Sequence, residues 1–282
     1  MPIPLSDQPP YKELYIYYFK GRLSSEAIED DAAFIGNWEE EEDSFLFFKQ
    51  AADRQVAKLL EQQPHLVMSD RFHMTYDDWQ GGTLCPIQIG TLHVIPAWHA
   101  DAEKASKESI LLDPGVVFGA GTHPTTRDCL AAIQAAFRKQ SVSDVVDLGT
   151  GTGLLALAAV RLGAQRCVAV DLNRLAVKTA MRNVRMNRMA RSILVVQGDA
   201  KNFMDLSCDL MISNIHYEVM RHIVSAPGFR VTKQFVLSGL LRSQARDIEH
   251  RLLQGGSKIL QKWECDSIWY TFHGVNDNTP GG

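Results

Sequence analysis

Between Asp147 and Gly153 the chain reads DLGTGTG, a carboxylate followed by glycines at 149, 151 and 153. Glycines let backbone approach a ligand closely. The apolar run LLALAAVRLG that follows reads as a helix, whose first turn offers free N–H groups and the positive end of a dipole. The preceding DVVDL reads as a strand, so the loop, Thr150 included, sits at a strand-to-helix turn. In the dinucleotide fingerprint the third glycine is the sixth residue of the motif; counted from Gly149, that residue is Leu154. The spacing D-x-G-x-G-x-G instead favours S-adenosylmethionine over a nicotinamide dinucleotide. Asp171 ends the next apolar segment, CVAVD, where a carboxylate can accept hydrogen bonds from both ribose hydroxyls of either nucleotide. Asp199, followed by Ala200 in QGDA after the segment ILVVQ, is placed to accept an adenine amino group, although a turn acid also serves as a helix cap.

A second glycine-rich stretch, DPGVVFGAGTHPTTRDC (113–129), ends at a helix start. Pro124 suits the first helical turn and the threonines can cap it; Leu130, Ile133 and Phe137 then recur on one helical face. His123 invites a reading as a catalytic base, but its place at the cap favours a positioning role. A third stretch, NIHYEV (214–219), follows the apolar segment CDLMIS. There Asn214 can orient an amine through its side-chain carbonyl, and His216 or Tyr217 can flank that amine, with His216 also able to accept a proton.

These loops need a sheet to hold them. From Ser143 onward apolar strands alternate with helical stretches, and the last two, KILQKWE and IWYTFHG, follow one another without a helix. That order gives an α/β fold: a doubly wound, mostly parallel sheet ending in an antiparallel hairpin. Residues 11–75 read as a small α+β unit of strand (13–19), helix (24–36), strand (44–49) and helix (51–63), with Glu39–Asp43 as a solvated turn. The aromatics of that unit suit either a core or an exposed surface. PIQIGTLHVIPAW (86–98) reads as a hairpin turning at Gly90-Thr91. The expected division is therefore 1–75, a connecting segment 76–100, a catalytic domain 101–275, and a disordered polar tail 276–282.

The chain has 282 residues, 45% of them hydrophobic and 22% charged, with a net charge of −4. That size and balance support a substantial core. The acidic excess argues against broad binding to nucleic acid. The five cysteines are scattered singly, so neither a metal site nor a disulfide framework is expected. The N-terminus MPIPLSDQPP lacks the regions of a signal peptide and no run approaches a membrane span, which predicts a cytoplasmic protein with no membrane partner. Nothing in the sequence sets an oligomeric state.

Taken together these residues resemble a class I S-adenosylmethionine-dependent methyltransferase, and more narrowly the PrmA family, methyltransferases of the ribosomal protein called L-eleven. The family signature D-P-G-x-x-F-G-x-G-T-H-P-T-T is matched from Asp113 to Thr126, and IQIGTLHVIPAW, SNIH and LSGLL fall where further family segments are expected. The resemblance implies that the 113–126 loop covers the cofactor, with Gly121 and Thr122 near its methionine end and Phe118 walling the site. It also implies a protein substrate, a ribosomal protein, recognised by the N-terminal unit and methylated on lysine or an N-terminal amine. The chain departs from the family at Ala120, where threonine is common, and at NIHYEV, which replaces the usual N-I-L-A. Other readings are a methyltransferase of another protein or a small molecule, a non-catalytic cofactor-binding interaction protein, and, least favoured, a nicotinamide oxidoreductase.

Overall fold

The computed structural model describes residues 7–24 and 31–276. These form two compact units: residues 7–85 with 173–175, and residues 86–172 with 176–276.

In the smaller unit β1 (Glu13–Lys20), β2 (Phe34–Glu40), β3 (Asp43–Phe48) and β4 (Val67–Thr75) make an antiparallel sheet in the order β2-β3-β1-β4. α1 (Asp53–Gln62) contributes Val56 and Leu59 to a core built from Tyr17, Phe19, Leu46 and Phe48; the short α2 (Tyr76–Gln80) follows β4. The hydroxyl oxygen of Tyr17 accepts the Ala52 N–H at 2.9 Å, tying the start of α1 to the sheet. The aromatics Tyr17 and Phe19 are therefore core. The helix expected over 24–36 is corrected at its described end: residues 34–36 open β2, because Phe34 pairs opposite Phe48 with ring centroids 5.2 Å apart. Residues 25–30 of that expectation lie outside the described residues. Glu41 and Glu42 form the turn between β2 and β3, with Glu41 at φ 53°. The sequence reading missed β4, whose side chains are nearly all exposed and show no alternating apolar face.

The larger unit begins with β5 (Ile87–Ile89), β6 (Leu92–Pro96) and β7 (Ser109–Leu112), a small sheet in the order β5-β6-β7 whose first two strands turn at Gly90-Thr91. Then come α3 (Pro124–Lys139), β8 (Asp144–Leu148), α4 (Leu154–Arg161), β9 (Arg166–Asp171), α5 (Arg174–Met186), β10 (Ile193–Gln197), β11 (Leu210–Asn214), α6 (Tyr217–Ser225), α7 (Pro227–Val231), β12 (Gln234–Leu241), α8 (Arg242–Gln254), β13 (Ser257–Cys265) and β14 (Trp269–Asn276). The seven-stranded sheet runs β10-β9-β8-β11-β12-β14-β13, and only β14 runs against the direction of the others. This is the doubly wound sheet with a terminal hairpin that the alternation predicts. Apolar clusters cover both faces: Leu130, Ile133, Leu155 and Leu157 on one, Met220, Ile223, Ile248 and Leu252 on the other. The tail expected at 276–282 begins with Asn276, which still pairs with Ser257 in the hairpin; residues 277–282 lie outside the described residues.

Strand order reverses between β8 and β11, the point at which an open α/β sheet leaves a crevice beyond its carboxyl ends. Register sets those ends side by side: Leu148 opposite Val170 and Ser213, Asp171 opposite Gln197, Asn214 opposite Ser238.

Candidate active site

Gly149, Gly151 and Gly153 all have positive φ, which explains why the loop after β8 alternates glycine with other residues. The loop is pinned from two sides. Gly149 and Thr150 donate their N–H groups to the Val170 carbonyl at 2.8 and 2.9 Å, and Gly151 N–H reaches Asp171 Oδ2 at 2.9 Å. Asp171 thus holds the glycine loop while standing at the end of β9. A side-chain carbon at Gly151 would lie 2.7 Å from the Phe118 carbonyl oxygen. The need for glycine there comes from a second protein loop as much as from any ligand.

Asp147 lies beneath this loop, fully buried. Its Oδ2 accepts the Thr150 hydroxyl at 2.6 Å, and Oδ1 has no partner among the described residues. Burial pushes its carboxyl up to about 7, against the pull of the Thr150 hydroxyl. Asp147 therefore shapes the loop from below. Asp199 caps the short helical turn over Ala200–Phe203, with Oδ1 accepting the Lys201 N–H at 3.0 Å, and Ala200 is buried behind it.

The 113–126 segment folds over the same edge. Asp113 is bridged to Arg182 at 3.0 Å; burial raises its carboxyl although the Arg182 charge opposes this. The Thr152 hydroxyl donates to the Gly119 carbonyl at 2.8 Å, joining the two glycine loops directly. His123 is the N-cap of α3, its Nδ1 accepting the Thr125 N–H at 3.3 Å. Its ring lies edge-on between Phe118 and Trp269, at 5.2 and 5.0 Å between centroids, and burial lowers its basicity. Phe118 and Thr122 are exposed, whereas Gly121 is buried against Ile87 of β5.

At the end of β11, Asn214 Nδ2 donates to Thr125 Oγ1 at 3.3 Å. That contact turns the amide so that Oδ1 faces Gly239, where a side-chain carbon would stand 3.0 Å away; glycine with φ 85° keeps the space open. His216 is exposed at the start of α6. Tyr217 turns elsewhere: its hydroxyl donates to Asp247 Oδ2 on α8 at 2.8 Å, and Asp247 is also held by Arg251 at 2.6 Å. That hydrogen bond raises the phenol above its usual range.

The structure thus gathers the glycine loop, Asp171, the 113–126 loop and Asn214 at one sheet edge. Sequence reasoning missed the residue that fastens them. Asn183 of α5, fully buried, accepts the Asp113 N–H at 3.0 Å and donates to the Asp113 and Thr152 carbonyls at 3.0 and 2.9 Å. One turn on, Asn187 makes the same paired contact to the backbone of Leu111. Two asparagines four apart in NVRMN, on an otherwise amphipathic helix, were the available signal.

Residues 13–277 match the family model described as ribosomal protein L11 methyltransferase (PrmA). The chain belongs to this family. Among curated members, the ribosomal protein L11 methyltransferase of Anoxybacillus flavithermus is 35% identical over 192 residues, 66% of this chain and 60% of that protein's length. That of Desulfitobacterium hafniense is 34% identical over 77% of this chain and 70% of its own. Against the first of these relatives, then, the match spans less than two thirds of the relative's length. The crystal structure of ribosomal protein L11 methylase from Lactobacillus delbrueckii subsp. bulgaricus is 27% identical with a TM-score of 0.59, covering 68% of this chain and 99% of that one. Within this L11 methyltransferase family, the chain combines the family's loop and sheet with an NIHY segment whose tyrosine is drawn to α8.

Proposed function

We propose that the protein is an S-adenosylmethionine-dependent N-methyltransferase acting on an amine of a ribosomal protein, L11 or a close relative of it, in the cytoplasm. The observation that carries this reading is the joining of two glycine loops, through Thr152 and Asn183, at the strand-order switch beside Asn214. The donor set fits the cofactor's chemistry. Asp171 would take the ribose hydroxyls while bracing Gly151, and Asp199 with Ala200 would take the adenine. The loop from Gly149 to Gly153, with Thr150, would pass close to the ligand. α4 begins at Gly153 without a side-chain cap, which suits the methionine carboxylate, with Gly121 and Thr122 beside it and Phe118 as a wall.

When bound, S-adenosylmethionine supplies an electrophilic methyl group. The chain's own task is to present a neutral amine, because a protonated one has no lone pair. A partly buried site favours the neutral form. Asn214, its amide nitrogen engaged by Thr125, accepts a hydrogen bond from the amine at Oδ1 and so aims the lone pair. His216, exposed at the start of α6, would take the proton the amine gives up. Tyr217 positions the start of α6 through Asp247. The 113–126 loop, stiffened by the His123 cap, excludes water.

The smaller unit is the proposed recognition element for the protein substrate. Val67, Met68 and Phe72 on its edge strand β4 are exposed and offer an apolar contact surface. Incubating the protein with methyl-labelled S-adenosylmethionine and purified ribosomal protein L11 tests the assignment. Mass spectrometry should find methylated amines on L11, and an unmodified L11 would refute it.

A further inference from the structure

Two adjoining cavities open past the carboxyl end of β12, outside the residues assigned above. One, of about 350 Å³, is lined by Arg242, Ala245, Arg246, Lys262, Glu264 and Tyr270. The other, of about 380 Å³, adds Leu241, Ser243, Ser267 and Ile268 and shares the two arginines. Arg242 and Arg246 are one helical turn apart on α8, so their charges repel. Among the described residues neither has a carboxylate at ion-pair distance; Arg242 donates only to the Tyr270 hydroxyl, at 3.3 Å. Lys262, by contrast, is answered by Glu249 at 2.8 Å and lies over the rings of Tyr270 and Phe272. Glu264 is the cavity's own carboxylate and its charge acts on Arg242 without reaching ion-pair distance, so the lining still carries more positive than negative charge. Beside the arginines Leu241 and Ile268 are 40% and 49% exposed, giving the groove an apolar lip.

Chain neighbours of the groove's residues reach the acceptor side of the site. Three residues before Leu241, Ser238 lies opposite Asn214 in the sheet. On the other side, the residue after the lip's Ile268, Trp269, meets the ring of His123 edge-on. A polypeptide presenting an amine at Asn214 would run its flanking residues along this groove.

We propose that the Arg242–Arg246 groove binds an acidic stretch of the protein substrate next to the methylated amine, and so selects which amine is presented. The inference rests on the methyl-transfer reading above. Arginine forks suit carboxylates bidentately, and the lip suits one apolar residue beside them.

The test measures methylation of ribosomal protein L11 by the full chain and its Arg242→Ala/Arg246→Ala and Arg246→Glu variants. KM for L11 should rise about tenfold in the double variant and more in Arg246→Glu, with kcat and S-adenosylmethionine affinity unchanged and the difference shrinking at high salt. Arg246→Lys should recover part of the loss. Unchanged KM in both variants would overturn the proposal. Should the wild-type protein fail to methylate L11, the functional reading fails, and binding of a labelled hexaglutamate peptide decides on the groove itself. Binding that Arg246→Glu abolishes supports it. Absence of binding, or binding of an RNA hexamer in place of the peptide, overturns it.

Discussion

Burying a carboxylate under the glycine loop gives that loop a pH signature. Asp147 has its folded value raised to about 7 from the usual 3.8, so the unfolded chain ionises first. Its contribution to stability is full below pH 4 and is lost as pH rises through 7. His273 acts in the opposite sense. It is fully buried on β14, between β12 and β13, bonded to Gln234 at 3.1 Å, and burial lowers it to about 4 from 6.5. Its contribution is full above pH 6.5 and is lost as pH falls through 4. The two effects oppose each other across the mildly acidic range, so variants are needed to separate them. Urea unfolding of Asp147→Asn should show a stability difference from wild type that favours the variant by roughly 2–4 kcal/mol more at pH 8 than at pH 4. A pH-independent difference would show that the buried carboxylate is ionised throughout. At Asp171, loss of the carboxylate removes both the brace on Gly151 and the proposed ribose partner. Asp171→Ala should weaken S-adenosylmethionine binding by roughly 1.5–3 kcal/mol in calorimetry, and full-strength binding would refute the assignment.

At the scale of elements, the site depends on α5 as a strap. Removing Asn183 takes a partner from three backbone groups of the two glycine loops and leaves the Asp113 carbonyl with only the Arg182 guanidinium, at 3.4 Å. Asn183→Ala should cost about 3 kcal/mol in urea unfolding and weaken S-adenosylmethionine binding at least as strongly as Asp171→Ala. Unaltered cofactor affinity would show that the loops hold together without the strap. This contact also marks where sequence reading stopped. The glycine spacing, the strand-end acids and the Pro124 helix start follow from local rules of conformation and capping, and each stands where those rules put it. Asn183 and Arg182 act on backbone groups 31 to 70 positions away, and Gly239 makes room for the Asn214 side chain 25 positions away, which leaves no periodic trace. The engagement of Tyr217 leaves no local trace for the same reason: its partner, Asp247, lies on another helix. In the smaller unit, residues 24–36 read as a helix, but pairing with β3 makes residues 34–36 the start of strand β2. Edge strand β4 escaped because exposure on nearly all its positions erases the period-two signal.

For the whole molecule, two compact units predict two separable tasks. A variant beginning at Pro86 retains both glycine loops, the hairpin of β5 and β6, and the seven-stranded sheet. It should bind S-adenosylmethionine and lose methylation of ribosomal protein L11, and an unchanged kcat/KM on L11 would remove the recognition role from residues 7–85. Methyl transfer as proposed requires the amine to be aimed by Asn214 at the carboxyl edge of β11. The most direct measurement is single-turnover methyl transfer to L11 by the wild-type protein and Asn214→Ala, both saturated with S-adenosylmethionine. If Asn214 aims the amine, the wild type transfers the methyl group and the variant's barrier is raised by about 2–4 kcal/mol, with cofactor affinity unchanged. Equal single-turnover rates for the two proteins would contradict it.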